Sequence, residues 1–191
     1  VTLLTPIYLG TRQVNLREVR NVRTPADLKG VKLRMPGSKE WLFLGEALGA
    51  TATPLAFGEV YLGLKTGTID GQDNPLPSVR AAKFYEVTKQ IVMTNHLVDG
   101  IFIAISDKAW KAMTAAQRQK VQAAADAAAA FNNDNRIKEE AQIVDFFKKE
   151  GLTVTTPDVE AFRKSVQAAY ATSDMAKTWP AGLLDRINNT K

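Results

Sequence analysis

Arg34 is the residue of this chain best placed to do chemistry. It ends an expected strand, Val31–Met35, directly before the turn Pro36-Gly37 and a helix start at Ser38. In open α/β sheets ligands collect outside the carboxyl ends of strands, where helix N-termini offer unpaired N–H groups. A guanidinium there can hold a carboxylate through two parallel charge-assisted hydrogen bonds. A solvent-facing arginine on a sheet edge would show the same pattern. Phe57 precedes Gly58 at a second strand-to-helix turn, where a ring can cover a ligand, although such a phenylalanine more often belongs to the core. Asn74, within Asp70-Gly71-Gln72-Asp73-Asn74-Pro75, could offer its amide to a bound acid. Asx-turns account for that composition without any ligand. His96, the single histidine, follows an apolar strand and reads as a structural hydrogen-bonding residue rather than a catalyst.

Enzyme chemistry finds little to build on. There is no G-x-S-x-G elbow, no G-x-x-x-x-G-K-[ST] loop and no G-x-G-x-x-G fingerprint. Asp70 and Asp73 make an acid pair on paper, but no base or nucleophile stands with them. The absence of cysteine excludes thiolate metal sites, disulfides and Cys nucleophiles, and one histidine excludes a His-rich cage. No catalytic residue, metal or cofactor is therefore expected. The chain carries 25 Lys+Arg against 20 Asp+Glu, a net charge of +5, with no basic run longer than the pair Lys148–Lys149. A phosphate-backbone stripe needs clustering, so nucleic acid is not an expected partner.

The elements that must position these residues alternate between strand and helix. Val1–Tyr8 reads as a strand already under way, with no initiator Met and no leader, so the chain is expected to be a fragment. Thr24-Pro25-Ala26-Asp27 starts a short helix, Ser38 caps the next, and Gly49 closes it. Ala50–Leu55 is a strand, Glu59–Lys65 a helix ending at Gly67, and Ile69–Pro77 an irregular loop. Ser78–Val87 reads as helix, and Lys89–Asn95 and Gly100–Ser106 as two strands. This alternation predicts an α/β domain with a largely parallel sheet.

From the capping box Thr114-Ala115-Ala116-Gln117 nothing breaks the helical pattern before Gly151. A helix over Ala115–Glu150 would span roughly 54 Å, more than a small domain is wide, so it is expected to run along more than one lobe. Asn132-Asn133-Asp134-Asn135 interrupts any coiled-coil seam and marks the place for a bend. Leu152–Thr155 is a short strand, Thr156-Pro157 restarts a helix through Tyr170, and Trp179-Pro180 opens a last short one. No apolar run approaches the length needed to cross a bilayer.

An ordered set of segments resembles the extracytoplasmic substrate-binding proteins of tripartite ATP-independent periplasmic (TRAP) transporters, the DctP-like family. The match runs through Arg23–Ser38, Leu48-Gly49-Ala50, Pro54–Tyr61, Asp70–Pro75, Lys83–Val87 and Met93-Thr94-Asn95-His96, and more weakly to about Tyr170. The resemblance implies a two-lobed α/β protein of the periplasmic-binding-protein type II-like fold, not an enzyme. Such a protein closes on a small organic acid in the periplasm and delivers it to a membrane permease. It implies that Arg34 pairs with the ligand carboxylate, that Phe57 lies against the ligand, and that Asn74 also reaches the carboxylate. Arg12 is similar to the second arginine of that site, and His96 to a position near it.

A substantial N-terminal part of the family, most of one lobe, precedes the stretch where this chain begins. Residues 1–99 and 140–191 are accordingly expected to form most of the second lobe. Residues 100–139 would supply the remaining part of the first lobe and the hinge-crossing helix. The competing reading is a ligand-sensing effector domain of a transcription regulator, which shares the lobe architecture, although no helix-turn-helix is visible. Trp41 and Phe43 either favour an aromatic or compact hydroxy acid or form the buried face of their helix.

Overall fold

The computed structural model describes residues 1–190. Six strands make one sheet: β1 (Thr2–Leu16), β2 (Lys32–Met35), β3 (Thr51–Pro54), β4 (Gly71–Pro75), β5 (Gln90–Ile105) and β6 (Thr153–Thr155). Their spatial order is β3-β2-β4-β1-β5-β6. All run the same way except β1, which lies antiparallel between β4 and β5. The sheet is thus largely parallel, as the alternation predicts, with its longest ladder made by the one reversed strand.

Seven α-helices occur among the described residues: α1 (Lys39–Ala47), α2 (Val60–Thr66), α3 (Leu76–Ala81), α4 (Asp107–Ala112), α5 (Ala115–Lys149), α6 (Val159–Ala171) and α7 (Leu183–Asn188). Strand side chains alternate between faces, so a sheet covered on both sides needs two cores. On one face Val14, Leu16, Leu33 and Met35 pack with Leu44 and Leu48 of α1 and Phe162 of α6. On the other, Ile91 packs with Val60 and Leu64 of α2, Val79 of α3, and Ile143 and Phe147 of α5.

The boundaries follow local chemistry. Asp27 accepts from the backbone N–H of Thr24 at 2.8 Å and closes a capping box on the short 3-10 turn Pro25–Leu28. Gly49 ends α1 at φ +88°, and a Cβ there would lie 2.1 Å from the carbonyl oxygen of Pro25. Gly49→Ala is therefore expected to cost more than about 1 kcal/mol of stability, because alanine meets both the wrong backbone region and a fixed carbonyl. A chemical denaturation midpoint checks this; an unchanged midpoint would show that the 3-10 turn yields.

Four segments differ from their sequence reading. Ile69–Pro77 is not an irregular loop: residues 71–75 form β4, buried throughout. Gly71 belongs there because a Cβ would fall 2.8 Å from Leu16 Cδ2 and 2.9 Å from the Asn15 carbonyl oxygen. Pro75 stands at the strand end and Pro77 in the first turn of α3, where a missing N–H costs least. Lys89–Asn95 and Gly100–Ser106 are parts of one strand, since Leu97, Val98 and Asp99 pair with Arg12, Thr11 and Gly10. Residues 93–96 bulge out of β5 opposite the single residue Gln13, with Asn95 at φ +46°. The helix expected over Ser78–Val87 stops at Ala81, because Lys83 takes φ +56° and Phe84–Val87 continues as a 3-10 turn. The opening strand runs past Tyr8 to Leu16.

Helix α5 is one unbroken element of 35 residues with its capping box formed. No loop divides it at Asn132–Asn135; that patch bonds to β1. Asn132 Nδ2 donates to the Tyr8 carbonyl at 2.9 Å, and Asn133 Oδ1 accepts from the Tyr8 N–H at 2.8 Å. Glu140 accepts from the Thr11 N–H at 2.7 Å and from the Tyr8 hydroxyl at 2.5 Å. These bonds fall where the β1–β5 ladder shifts register, between Tyr8 and Gly10. The helix satisfies backbone groups that the irregular ladder leaves open.

Candidate functional site

Pairing register sorts the expected site residues by face. Gln13 pairs with Asn74, Asn15 with Gln72, and Gln72 with Arg34, so Arg34, Gln72 and Asn74 share one face of the sheet. Arg12 pairs with Pro75 and Val14 with Asp73, which puts Arg12 and Asp73 on the opposite face. With Phe57 beside Arg34 and His96 beside Asp73, the five expected residues form two groups that meet at the carboxyl ends of β2 and β4.

The first group centres on Arg34, only 3% exposed. Its Nε donates to the Leu55 carbonyl at 2.8 Å, and among the described residues that is its guanidinium's one hydrogen bond. Burial lowers its pKa; Asp73 works against that fall and Arg12 adds to it. Phe57 lies beside it, half exposed, with its ring centre 5.9 Å from the guanidinium carbon and 5.6 Å from the Phe84 ring. The ring is thus neither wholly core nor free. Asn74 Nδ2 donates to Gln72 Oε1 at 2.6 Å. Gln72 in turn reaches Asn15, and Asn15 reaches Thr88, so the amide sits at the end of a buried polar chain. Arg34 opens on a hollow of about 520 Å³ that Pro36, Gly37, Pro54, Leu55, Ala56 and Glu59 line. A cation held in place, largely out of water and without an anion, is a receptor for one.

The second group is closed upon itself. Arg12 donates through Nε to Asp73 Oδ2 at 2.6 Å and through Nη2 to Asp73 Oδ1 at 3.1 Å and its carbonyl at 2.7 Å. Its Nη1 donates to Asp99 Oδ2 at 2.6 Å, which commits four of five N–H groups. The Trp41 ring stacks on the guanidinium, 4.4 Å from its centroid. His96 touches Asp73 Oδ2 through Nε2 at 3.2 Å and Thr94 Oγ1 through Nδ1 at 2.7 Å. The bulge at residues 93–96 is what brings the ring to this face. Burial would raise the pKa of Asp73, but the His96 and Arg12 bonds hold it at about 2. Asp70 takes no part: its carboxylate accepts from the Lys32 N–H at 2.9 Å, which dissolves the Asp70/Asp73 pair.

Sequence reading missed Asp73, Asp99 and Thr94 as members of this cluster. The available signal was the polar alternation Gln72-Asp73-Asn74 inside a short segment, which reads equally as a turn. Phe43 faces away and packs edge-on against Tyr170 at 4.8 Å, so of the two aromatics on α1 only Trp41 adjoins the site.

Comparison with known proteins identifies the family and the fold. The family described as bacterial extracellular solute-binding protein, family 7 (DctP), matches residues 1–177. The chain is similar to the sialic acid-binding periplasmic protein SiaP of Vibrio cholerae, 39% identical over 167 residues, which are 87% of this chain and 51% of that protein. It is 34% identical over 151 residues to the 2,3-diketo-L-gulonate-binding periplasmic protein YiaO of Escherichia coli, covering 76% of this chain and 46% of that one. Among solved structures, a TRAP periplasmic solute-binding protein from Roseobacter denitrificans with bound 3-deoxy-D-manno-oct-2-ulosonic acid superimposes with a TM-score of 0.95 at 50% identity. That match covers 98% of this chain and 62% of the other. The chain thus spans about half the length of the curated relatives it matches. No described helix is long and apolar enough to cross a membrane. This chain belongs to the DctP family of TRAP periplasmic solute-binding proteins, a family of binding proteins and not of enzymes.

Proposed function

We propose that this chain forms one wall of a periplasmic cleft that captures a sugar acid by its carboxylate and delivers it to a TRAP-type permease. One observation carries the reading: Arg34 is a buried guanidinium with both terminal nitrogens uncommitted at the mouth of a hollow. Arg34 takes the carboxylate in a two-bond fork, Phe57 covers the sugar ring, and Asn74 offers its remaining amide capacity to the acid. Arg12 and His96 support the site through Asp73, and Arg12 keeps at most one N–H for a ligand.

Residues 1–99 and 140–191 supply most of one lobe, and residues 100–139 contribute to the other and to the crossing helix. In the lobe-closing step a ligand that touches both lobes favours the closed state by its differential affinity. Sugar acids are the class to test because a 50% identical relative holds an octulosonic acid and a 39% identical one is named for sialic acid. Nothing in the fold favours the effector-domain reading.

Calorimetry on the intact mature protein with 3-deoxy-octulosonic acid, sialic acid and the methyl ester of each tests the proposal. The free acid of at least one is expected to bind and its ester to fail, because the ester removes the charge that Arg34 pairs. Equal binding of acid and ester would overturn it.

A further inference from the structure

At the other end of the sheet lies a second cation without a partner. Arg17 directly follows β1, whose last residue Leu16 pairs with Gly71 and Gln90, the first residues of β4 and β5. The parallel strands begin here and end near Arg34, so the two arginines mark opposite ends of the sheet. Arg17 lines an open notch of about 470 Å³ together with Tyr61 and Lys65 of α2, Glu86, Thr88 and Lys89.

The acids of this notch are already engaged. Glu18 accepts from Lys89 Nζ at 2.7 Å, and Glu86 accepts from the Tyr61 hydroxyl at 2.8 Å. Arg17 and Lys65 have no side-chain partner among the described residues. Arg17 Nε is moreover the one buried side-chain polar atom among them that makes no hydrogen bond to the protein. Its guanidinium lies in the space that Gly67 leaves open, where a Cβ would come within 3.3 Å of Cζ. The backbone N–H of Arg17 is fixed to the Asp70 carbonyl at 2.8 Å, so only the side chain is free to turn. A buried donor left without a protein partner is unfavourable, and an ordered water or a bound ion is what meets such a group in native structures.

We propose that this notch binds a small dissolved oxyanion, of phosphate or carboxylate size, between Arg17 and Lys65. The chemistry follows from what is uncommitted: two cations that only donate, in a notch where Glu18 is paired with Lys89 and the remaining charge of Glu86 is turned to the Tyr61 hydroxyl. Tyr61 and Leu64 form an apolar wall beside them, which leaves room for a small organic body on the anion. The ligand differs in place from the one that Arg34 takes, and the two sites have no residue in common.

The test uses inorganic phosphate as the probe and the intact mature protein carrying Arg34→Ala, so that the distal arginine cannot report. Arginine Nε–Hε resonances are followed by NMR at constant ionic strength, with chloride as the control. A saturable shift of the Arg17 resonance by phosphate and not by chloride is expected. Arg17→Gln should weaken phosphate binding by about tenfold or more. Lys65→Gln, at an exposed position that cannot disturb the core, should weaken it by about threefold even if the Arg17 variant fails to fold. A phosphate response that matches chloride, or one that survives Lys65→Gln unchanged, overturns the proposal and leaves a solvated notch.

Discussion

Arg34→Ala is expected to weaken sugar-acid binding at least about thirtyfold, the loss that follows when a desolvated charge pair worth about 2 kcal/mol or more is broken. Its effect on the unliganded protein should have the opposite sign or be nil. The buried guanidinium has one hydrogen bond and no anion, and its lowered pKa shows that burial opposes its charge. Removing it takes away an unfavourable group, so the denaturation midpoint is expected to hold or rise while affinity falls. Arg34→Lys keeps the charge and loses the fork, and binding should still fall clearly. Calorimetry and urea titration on the intact mature protein and both variants give the two readings. A lysine variant that binds as tightly as the parent would place the carboxylate elsewhere, with the last free N–H of Arg12 the first candidate.

Asp73→Asn should behave in the reverse way, with stability lost first. The Asp73 carboxylate is fully buried and holds Arg12 by two bonds and His96 by a third. Taking its charge away leaves Arg12 buried with Asp99 alone, and breaking one side of such a pair costs on the order of 3–5 kcal/mol. That is a large part of the roughly 5–15 kcal/mol that holds a domain folded.

The same carboxylate sets an acid limb. Its pKa falls from the usual 3.8 to about 2 on folding, so its contribution is complete above pH 4 and is lost as pH drops through about 2. Over that window the parent should lose about 2 kcal/mol that the asparagine variant no longer has. Urea midpoints between pH 2 and pH 5 measure the difference. Parallel curves for the two proteins would show that the network adds nothing to folding.

What could be read from residues alone was what is local. Helix α5 announced itself through a capping box and a stretch free of breakers, and it ends within a residue of the expected place. Arg34 was legible because a strand, a Pro-Gly turn and a helix start stand next to it in sequence. Asp73 was not, since its partner Arg12 lies 61 residues away and His96 lies 23 away. Its polar neighbours imitate a turn, and only pairing to β1 turns them into a strand. The break read between Lys89–Asn95 and Gly100–Ser106 fails for the same reason, since Leu97, Val98, Asp99 and Gly100 sit within the β1–β5 ladder opposite Arg12, Thr11, Gly10 and Tyr8. The division of Arg34 and Arg12 between faces is a property of register, which no single segment contains.

The reversed strand in the middle of the sheet also sets a timetable for synthesis. β1 leaves the ribosome before either neighbour, because β4 and β5 begin at Gly71 and Gln90. At about 5–20 residues per second, roughly 3 to 11 s pass between completion of Leu16 and the first residue that can pair with it. During that interval the strand offers Leu3, Leu4, Ile7 and Leu9 with open backbone edges, the kind of surface that invites pairing with another chain. The helix that will satisfy the irregular part of β1 arrives later still, since Asn132, Asn133 and Glu140 follow β5 in the chain. The centre of the finished sheet is therefore the part of the nascent chain that stays without its partners longest, and the part a holding chaperone would have most reason to cover.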